Sequence, residues 1–268
     1  MTGETDERHS KRRIQSVLKA CELIEAVQRS NGATLRELTD AVDLSAGTVH
    51  TYLGTLVECG FLTKEEGTYQ LGFRFVTMGE HVRNETDLYA AGQEEVDKLA
   101  DKSGEYVHLV TENDGREVAI YERRGQHAVG KDYHLKLRES PQHLHDSASG
   151  KAILSRLPEE RVGEIVSREG LVRQTENTIT DRDRLVTELE TVRERGYAVN
   201  DEEEIRGLRA VGAPVVDSDG SVVGAVSVTA PTSRLKGERF DREIPEMVME
   251  AANLIEVNLE MMPFDRTA

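Results

Sequence analysis

Between Ser45 and Cys59 the chain carries Ser45, Thr48, His50, Thr51, Tyr52 and Thr55, with Glu58 the one charged residue of the stretch. Hydroxyl, imidazole and methyl groups can read the edges of bases, and the same residues can equally form the wetted side of an amphipathic helix. Gly150-Lys151 has the ending of a phosphate-binding loop, but that motif needs glycine where His145 stands and Ser or Thr where Ala152 stands. A Ser-x-x-Lys nucleophile fails too, because Ala148 stands three residues before Lys151. His143 and His145 alternate in an extended segment and are of metal-ligand type, yet no Cys or further His adjoins them. Asp201-Glu-Glu-Glu204 offers four carboxylates that a consecutive run points in different directions, which reads as a solvated acidic loop. No catalytic constellation is complete, so the expectation is a protein that is not an enzyme and needs no cofactor or metal.

The elements around these residues follow from periodicity. Ile14, Val17, Cys21, Ile24 and Val27 share one helical face, and Asn31-Gly32 ends that helix. Thr34-Leu-Arg-Glu37 has the form of a capping box opening a helix of about two turns, with Leu35, Leu38 and Val42 as its stripe. Ser45 is placed to cap a third helix whose apolar face is Val49, Leu53 and Leu56. Two short strands around Gly67 follow, over 61–71. Helix, short helix, tight turn, helix and hairpin is the order of a winged helix-turn-helix. A helical connector over 73–84 and a helix ending at Ser103-Gly104 lead into strands at 106–111, 117–123 and 133–137, with Asp114-Gly115 as a hairpin turn. Helices over 149–156, 159–168 and 182–195, strands over 208–216 and 221–229, and a last helix over 241–261 complete an antiparallel sheet covered by helices, an α+β domain of the sensor type.

With 268 residues, two domains fit. A net charge of −16, and 25 Arg against 9 Lys, resemble proteins adapted to a molar-salt cytoplasm such as that of a halophilic archaeon. Residues 1–82 hold 9 basic and 12 acidic groups, so the usual basic footprint of a DNA binder is missing. Taken alone, that favours a ligand-sensing signalling module whose N-terminal domain binds protein. In molar salt, however, counterion release returns little free energy, and base-edge and shape contacts must carry recognition. Cys21 and Cys59, 38 residues apart, form neither a zinc pattern nor a disulfide framework. The N-terminal residues lack a signal pattern and no apolar run reaches membrane length, so the expected location is the cytoplasm, away from any membrane.

Several blocks in order carry a resemblance over about residues 11–262: Thr34-Leu-Arg-Glu-Leu, Ser45-Ala-Gly-Thr-Val-His-Thr-Tyr-Leu, Tyr69-Gln-Leu-Gly, His145-Asp-Ser-Ala-Ser-Gly-Lys-Ala, Arg193-Glu-Arg-Gly-Tyr, Asp201-Glu-Glu-Glu, Gly207-Leu-Arg and Ala213-Pro-Val. On these the chain resembles the IclR-type transcriptional regulators. The resemblance implies a tail over 1–10, a winged helix-turn-helix DNA-binding domain over 11–74, a linker helix over 75–88, a GAF-like effector-binding and oligomerisation domain over 89–262, and a tail over 263–268. It implies that the third helix enters the major groove of a promoter operator. Ser45, Thr48, His50, Thr51 and Tyr52 would then face bases, and Arg12, Arg13, Arg36 and Lys64 are better placed for phosphates. Homodimers, or dimers of dimers, are implied as well.

In the same family a small organic molecule, often a carboxylic acid, lies in a cup between sheet and helix. Carried over by position, Ala148, Ser149, Asn200, Leu208, Ala210, Ser227 and Thr229 would line it. Ala148 and Ser149 at a helix start would offer N–H groups to an anion, and Ser227 and Thr229, two apart on a strand, share a face. The family often has an acid where Asn200 stands and Cys where Ala210 stands. These departures predict an anionic effector bulkier than a small keto acid, a sugar acid or aromatic acid from a catabolic pathway.

Overall fold

Two units divide the chain, 1–82 and 83–268. The computed structural model describes residues 13–129 and 142–262, so Arg12, the tails and the strand expected at 133–137 lie outside the described residues.

In the first unit, α1 (Gln15–Arg29) ends at Asn31 and Gly32, both in left-handed backbone. A two-residue strand β1 (Ala33–Thr34) precedes α2 (Leu35–Ala41), and the capping box is present as the sequence predicts: Glu37 N–H donates to the Thr34 hydroxyl while the Glu37 carboxylate accepts from Thr34 N–H at 2.8 Å. Helix α3 (Ala46–Glu58) opens on Ser45, and the wing is β2 (Leu62–Glu65) with β3 (Thr68–Leu71). The sheet order β1-β3-β2 ties the wing back to the start of α2. Leu23, Val27, Leu38, Val49, Leu53, Leu62 and Tyr69 close one small core. Each fully buried aliphatic side chain there contributes about 1.5–3 kcal/mol. Helix α4 (Arg74–Asn84) has no buried residue among its own, as a connector would.

The second unit begins with α5 (Asp87–Ser103), stopped by Gly104 at φ 74°. Then come β4 (Tyr106–Asn113), β5 (Arg116–Arg124), β6 (Gln142–His143), α6 (Ala148–Arg156), α7 (Glu159–Glu169), α8 (Arg182–Arg195), β7 (Ala198–Asp201), β8 (Leu208–Val216), β9 (Val222–Pro231), a π-helical turn at Arg239–Glu243, and α9 (Ile244–Met261). The curled antiparallel sheet runs β6-β5-β4-β9-β8-β7. Because side chains alternate along a strand, Val107, Leu109, Val211, Val215, Val226 and Val228 face α5 and α9, forming one core with Val96, Leu99, Ile244 and Ile255. Val110 and Ala225, on the opposite face, join α6, α7 and α8 through Ile153, Leu154, Ile165, Leu185 and Leu189. The short strands β1, β6 and β7 were not legible in the sequence, since two to four residues are too few to show alternation.

Two glycines set how closely α6 approaches the sheet. A Cβ on Gly212 of β8 would lie 2.9 Å from Ser149 N and from the Ala148 carbonyl carbon, and one on Gly150 would lie 2.3 Å from Leu144 O. The Ser-Gly-Lys block is therefore a packing requirement, which accounts for a phosphate-loop likeness without the chemistry.

Candidate functional site

Two places concentrate polar side chains. The first is α3. Its N-cap Ser45 accepts from Thr48 N–H at 3.3 Å and lies 2.8 Å from the Thr48 hydroxyl. With Val49, Leu53 and Leu56 buried, helical geometry turns Gly47, Thr51, Gly54 and Glu58 directly outward, with Thr48, Thr55 and His50 on the shoulders. Gly47 and Gly54 would place a Cβ in open space, so the helix backbone itself is approachable there. Thr51 Oγ1 donates to Gly47 O and Thr55 Oγ1 to Thr51 O, both at 3.0 Å. Each threonine thereby keeps lone pairs and a methyl for an outside partner.

Tyr52 departs from the expected arrangement. It is half-buried and borders an apolar groove between α1 and α3 with Val17, Ala20, Cys21 and Ile24. It sits about one third of a turn round the helix from the outward face, and packs against the core of the first unit. Arg13, Arg36 and Lys64 are exposed, and the Lys64 ammonium lies 4.9 Å from the Tyr69 ring centroid, which steadies it on the wing. Arg74, which the sequence did not single out, stacks on Phe61 at 4.6 Å and donates to Cys59 O, tying the end of α3 to the start of α4.

The second place is a small cup between the sheet and the start of α6. It brings together Ala148, Ser149, Ala210, Ser227 and Thr229 of the seven expected residues, and adds His108, Val110, Glu117, Ala119, Gln142, Ser147 and Glu204. Strand register accounts for much of this: His108 pairs with Ser227, Ser227 with Gly212, and Ala210 with Thr229. Leu208 and Asn200 do not line it. Asn200 is buried and its Oδ1 accepts from Glu203 N–H at 2.8 Å, which shapes the loop after β7.

That loop sends its four acids four ways. Asp201 pairs with Arg209 at 2.6 Å, Glu202 accepts from Gly207 N–H, Glu203 meets the ammonium of Lys151, and Glu204 reaches the cup. Lys151 is 1% exposed, with Glu188 a further 3.9 Å away. Thr175 and Thr178 both donate to the Glu203 carbonyl. The solvated loop read from the sequence is therefore a partnered one.

At the start of α6 the N-cap is Ser147, not Ser149: Ser147 Oγ accepts from Gly150 N–H at 2.8 Å. Both serine hydroxyls donate to one carboxylate, Glu117 of β5, Ser149 at 2.8 Å. Burial raises the Glu117 pKa above the usual carboxylate range, outweighing the opposite pull of these hydroxyls and of Gly150 N–H. The two serines at this helix end are thus partnered by a side chain of the protein itself, Glu117.

His145 is buried, with its Nε2 3.0 Å from Val172 O and its ring edge-on to His143; desolvation pushes its pKa down to about 4. The neutral ring donates to that carbonyl. Among the described residues, no three His, Cys, Asp or Glu gather as metal ligands. Asp146 is 2% exposed, and burial, then the charges of Glu204 and Glu117, push its pKa up to about 8. Since its folded pKa exceeds the unfolded value near 3.9, the folded state holds the proton more tightly, and stability falls as pH rises from about 4 to about 8. Asp146→Asn is expected to flatten this slope, with the gain in melting temperature over wild type largest at pH 8 and above; equal slopes in both proteins would contradict the assignment.

Comparison with known proteins adds the following. The model of the IclR helix-turn-helix domain matches residues 16–66, and that of the bacterial transcriptional regulator IclR C-terminal domain matches residues 80–257. The chain is similar to the probable HTH-type transcriptional regulator ArcR of Halobacterium salinarum, 49% identical over 250 residues that cover 93% of this chain and 95% of that protein. It is 28% identical to the HTH-type transcriptional regulator KdgR of Escherichia coli, over 92% of this chain and 93% of that one. The crystal structure of the Thermotoga maritima IclR superposes with a TM-score of 0.71 at 27% identity, covering 92% of this chain and 99% of that one.

Proposed function

We propose, from the premise that this chain belongs to the IclR family of transcriptional regulators, that it controls promoters of catabolic genes by reading an operator with the outward face of α3 while a small organic effector occupies the cup behind α6. Family membership makes it a DNA-binding regulator and not an enzyme, and the Halobacterium relative agrees with a halophilic origin for the acidic composition. No described helix is long and apolar enough to cross a membrane.

The observation that carries the DNA-contact assignment is the face made by Gly47, Thr48, His50, Thr51 and Gly54, the exposed side of a helix whose other side is locked in the core. Two such helices in a homodimer, or four in a dimer of dimers, would meet half-sites about 34–36 Å apart. The effector assignment is carried by the cup itself, where buried polar groups converge beneath a helix end. A small organic effector is an intermediate of metabolism, which is why we place the target genes in catabolism.

The direct test is a mobility shift on the DNA upstream of the protein's own gene, in molar potassium chloride. Specific binding is expected to persist, with a shallow slope of log K against log salt, because exposed cations on this unit are few and acids outnumber them. A slope equivalent to roughly six or more neutralised phosphates would contradict this account of how the surface meets DNA.

A further inference from the structure

Helix α3 carries no cation of its own at its C-terminal end. Its last turn holds no basic residue and finishes on Glu58, although the negative end of a helix dipole favours a positive charge. Gly60, at φ 76°, closes the helix in a Schellman turn, with Gly60 N–H donating to Val57 O and Phe61 N–H to Leu56 O, both at 2.9 Å. That turn does not use the Cys59 carbonyl. The Arg74 guanidinium, fifteen residues on, donates to it at 2.5 Å while lying over the Phe61 ring, two roles that a planar fork can fill at once. Arg74 opens α4, whose own first turn would favour an acid and holds none, so the charge serves α3 and not the helix that bears it. The backbone crosses itself tightly at the same point. A Cβ on Gly72 would lie 2.3 Å from Gly60 O, and Gly72 N–H donates to Phe61 O at 2.8 Å. Phe75 completes the junction, its ring centroid 5.3 Å from that of Phe61.

We propose that Arg74 is a positioning residue for DNA reading, which fuses the end of α3 to the first turn of α4 so that the two turn as one body and His50 and Thr51 are held at a fixed angle to the connector. The inference rests on the reading of α3 as the element that meets bases. Val49, Leu53 and Leu56 fix α3 along one face, whereas a bond from its end to a second helix fixes its tilt. Base-edge hydrogen bonds hold only over about 2.7–3.2 Å, so a small change of tilt removes specific contacts before it removes sequence-independent ones. The contact also suits concentrated salt. In molar salt the Debye length is about 3 Å, and a direct bond persists where longer-range attraction is screened.

The test is competition between the DNA upstream of the protein's own gene and unrelated duplex for the full-length protein in molar potassium chloride. Arg74→Met keeps an unbranched side chain and removes its charge and donors. It is expected to lower discrimination by about tenfold, the size of one lost base contact, with non-specific affinity changed by less than about twofold and the circular dichroism spectrum unaltered. Phe75→Leu, which takes the ring from Phe61 and leaves the guanidinium, serves the same purpose if Arg74→Met does not fold. With His50→Ala and Thr51→Ala already in place, Arg74→Met is expected to cost less than about threefold, because little is left for it to position. An undiminished loss in that background overturns the proposal. So does an equal weakening on every sequence with the slope of log K against log salt reduced by about one, the signature of a direct phosphate contact. Unchanged discrimination in Arg74→Met overturns it as well when His50→Ala and Thr51→Ala each lower discrimination, and the reading of α3 then stands. If none of the three variants lowers it, the reading of α3 falls and this inference with it.

Discussion

Lys151→Met is expected to destabilise the sensor domain by about 3–5 kcal/mol, because it strands the Glu203 carboxylate in a buried site. The Lys151 ammonium is enclosed at the core of α6, bonded to Glu203 and near Glu188. Glu203 is held in turn by Asn200, Thr175 and Thr178 through its backbone. Chemical unfolding at fixed salt, followed by a probe in the second unit, measures the loss. The double variant Lys151→Met with Glu203→Gln should recover much of it, since removing both charges of a buried pair costs far less than removing one. A single-variant loss below about 1 kcal/mol would be that of a surface pair, and would mean that water reaches the ammonium.

On the DNA side, His50→Ala and Thr51→Ala are each expected to lower discrimination between operator and unrelated DNA by about 1–3 kcal/mol, roughly 5- to 150-fold, while non-specific binding changes little. Both side chains are exposed, and Thr51's hydroxyl donates to Gly47 O of its own helix, so neither substitution should disturb folding. Tyr52→Phe is the control: its side chain faces α1, and operator preference should survive. Competition binding against unrelated duplex at constant salt provides the measurement. Unchanged preference in both alanine variants would remove α3 as the reading element.

Helix and wing of the first unit were legible because local chemistry decides them. Thr34 with Glu37, Ser45 with Thr48, and the spacing of Val49, Leu53 and Leu56 act within a turn or two of chain, and the folded structure uses them as the sequence indicates. The order of helices and long strands in the sensor domain followed for the same reason, since periods of 3.6 and 2 are local properties. Which long-range partner a polar residue takes is not local. Glu117 opens a strand of ordinary composition, yet antiparallel register and the glycines at 150 and 212 bring the end of α6 onto it from thirty residues away. The Oδ1 of Asn200 is taken by one backbone N–H three residues on. Tyr52 lies beside His50 and Thr51 in sequence, but a rotation of about 100° per residue turns it toward α1. The sequence by itself therefore determined the architecture and the helices and wing of the first unit. Which side chain meets the start of α6 was decided only by tertiary structure, because it depends on strand register and on the close approach that the glycines at 150 and 212 allow.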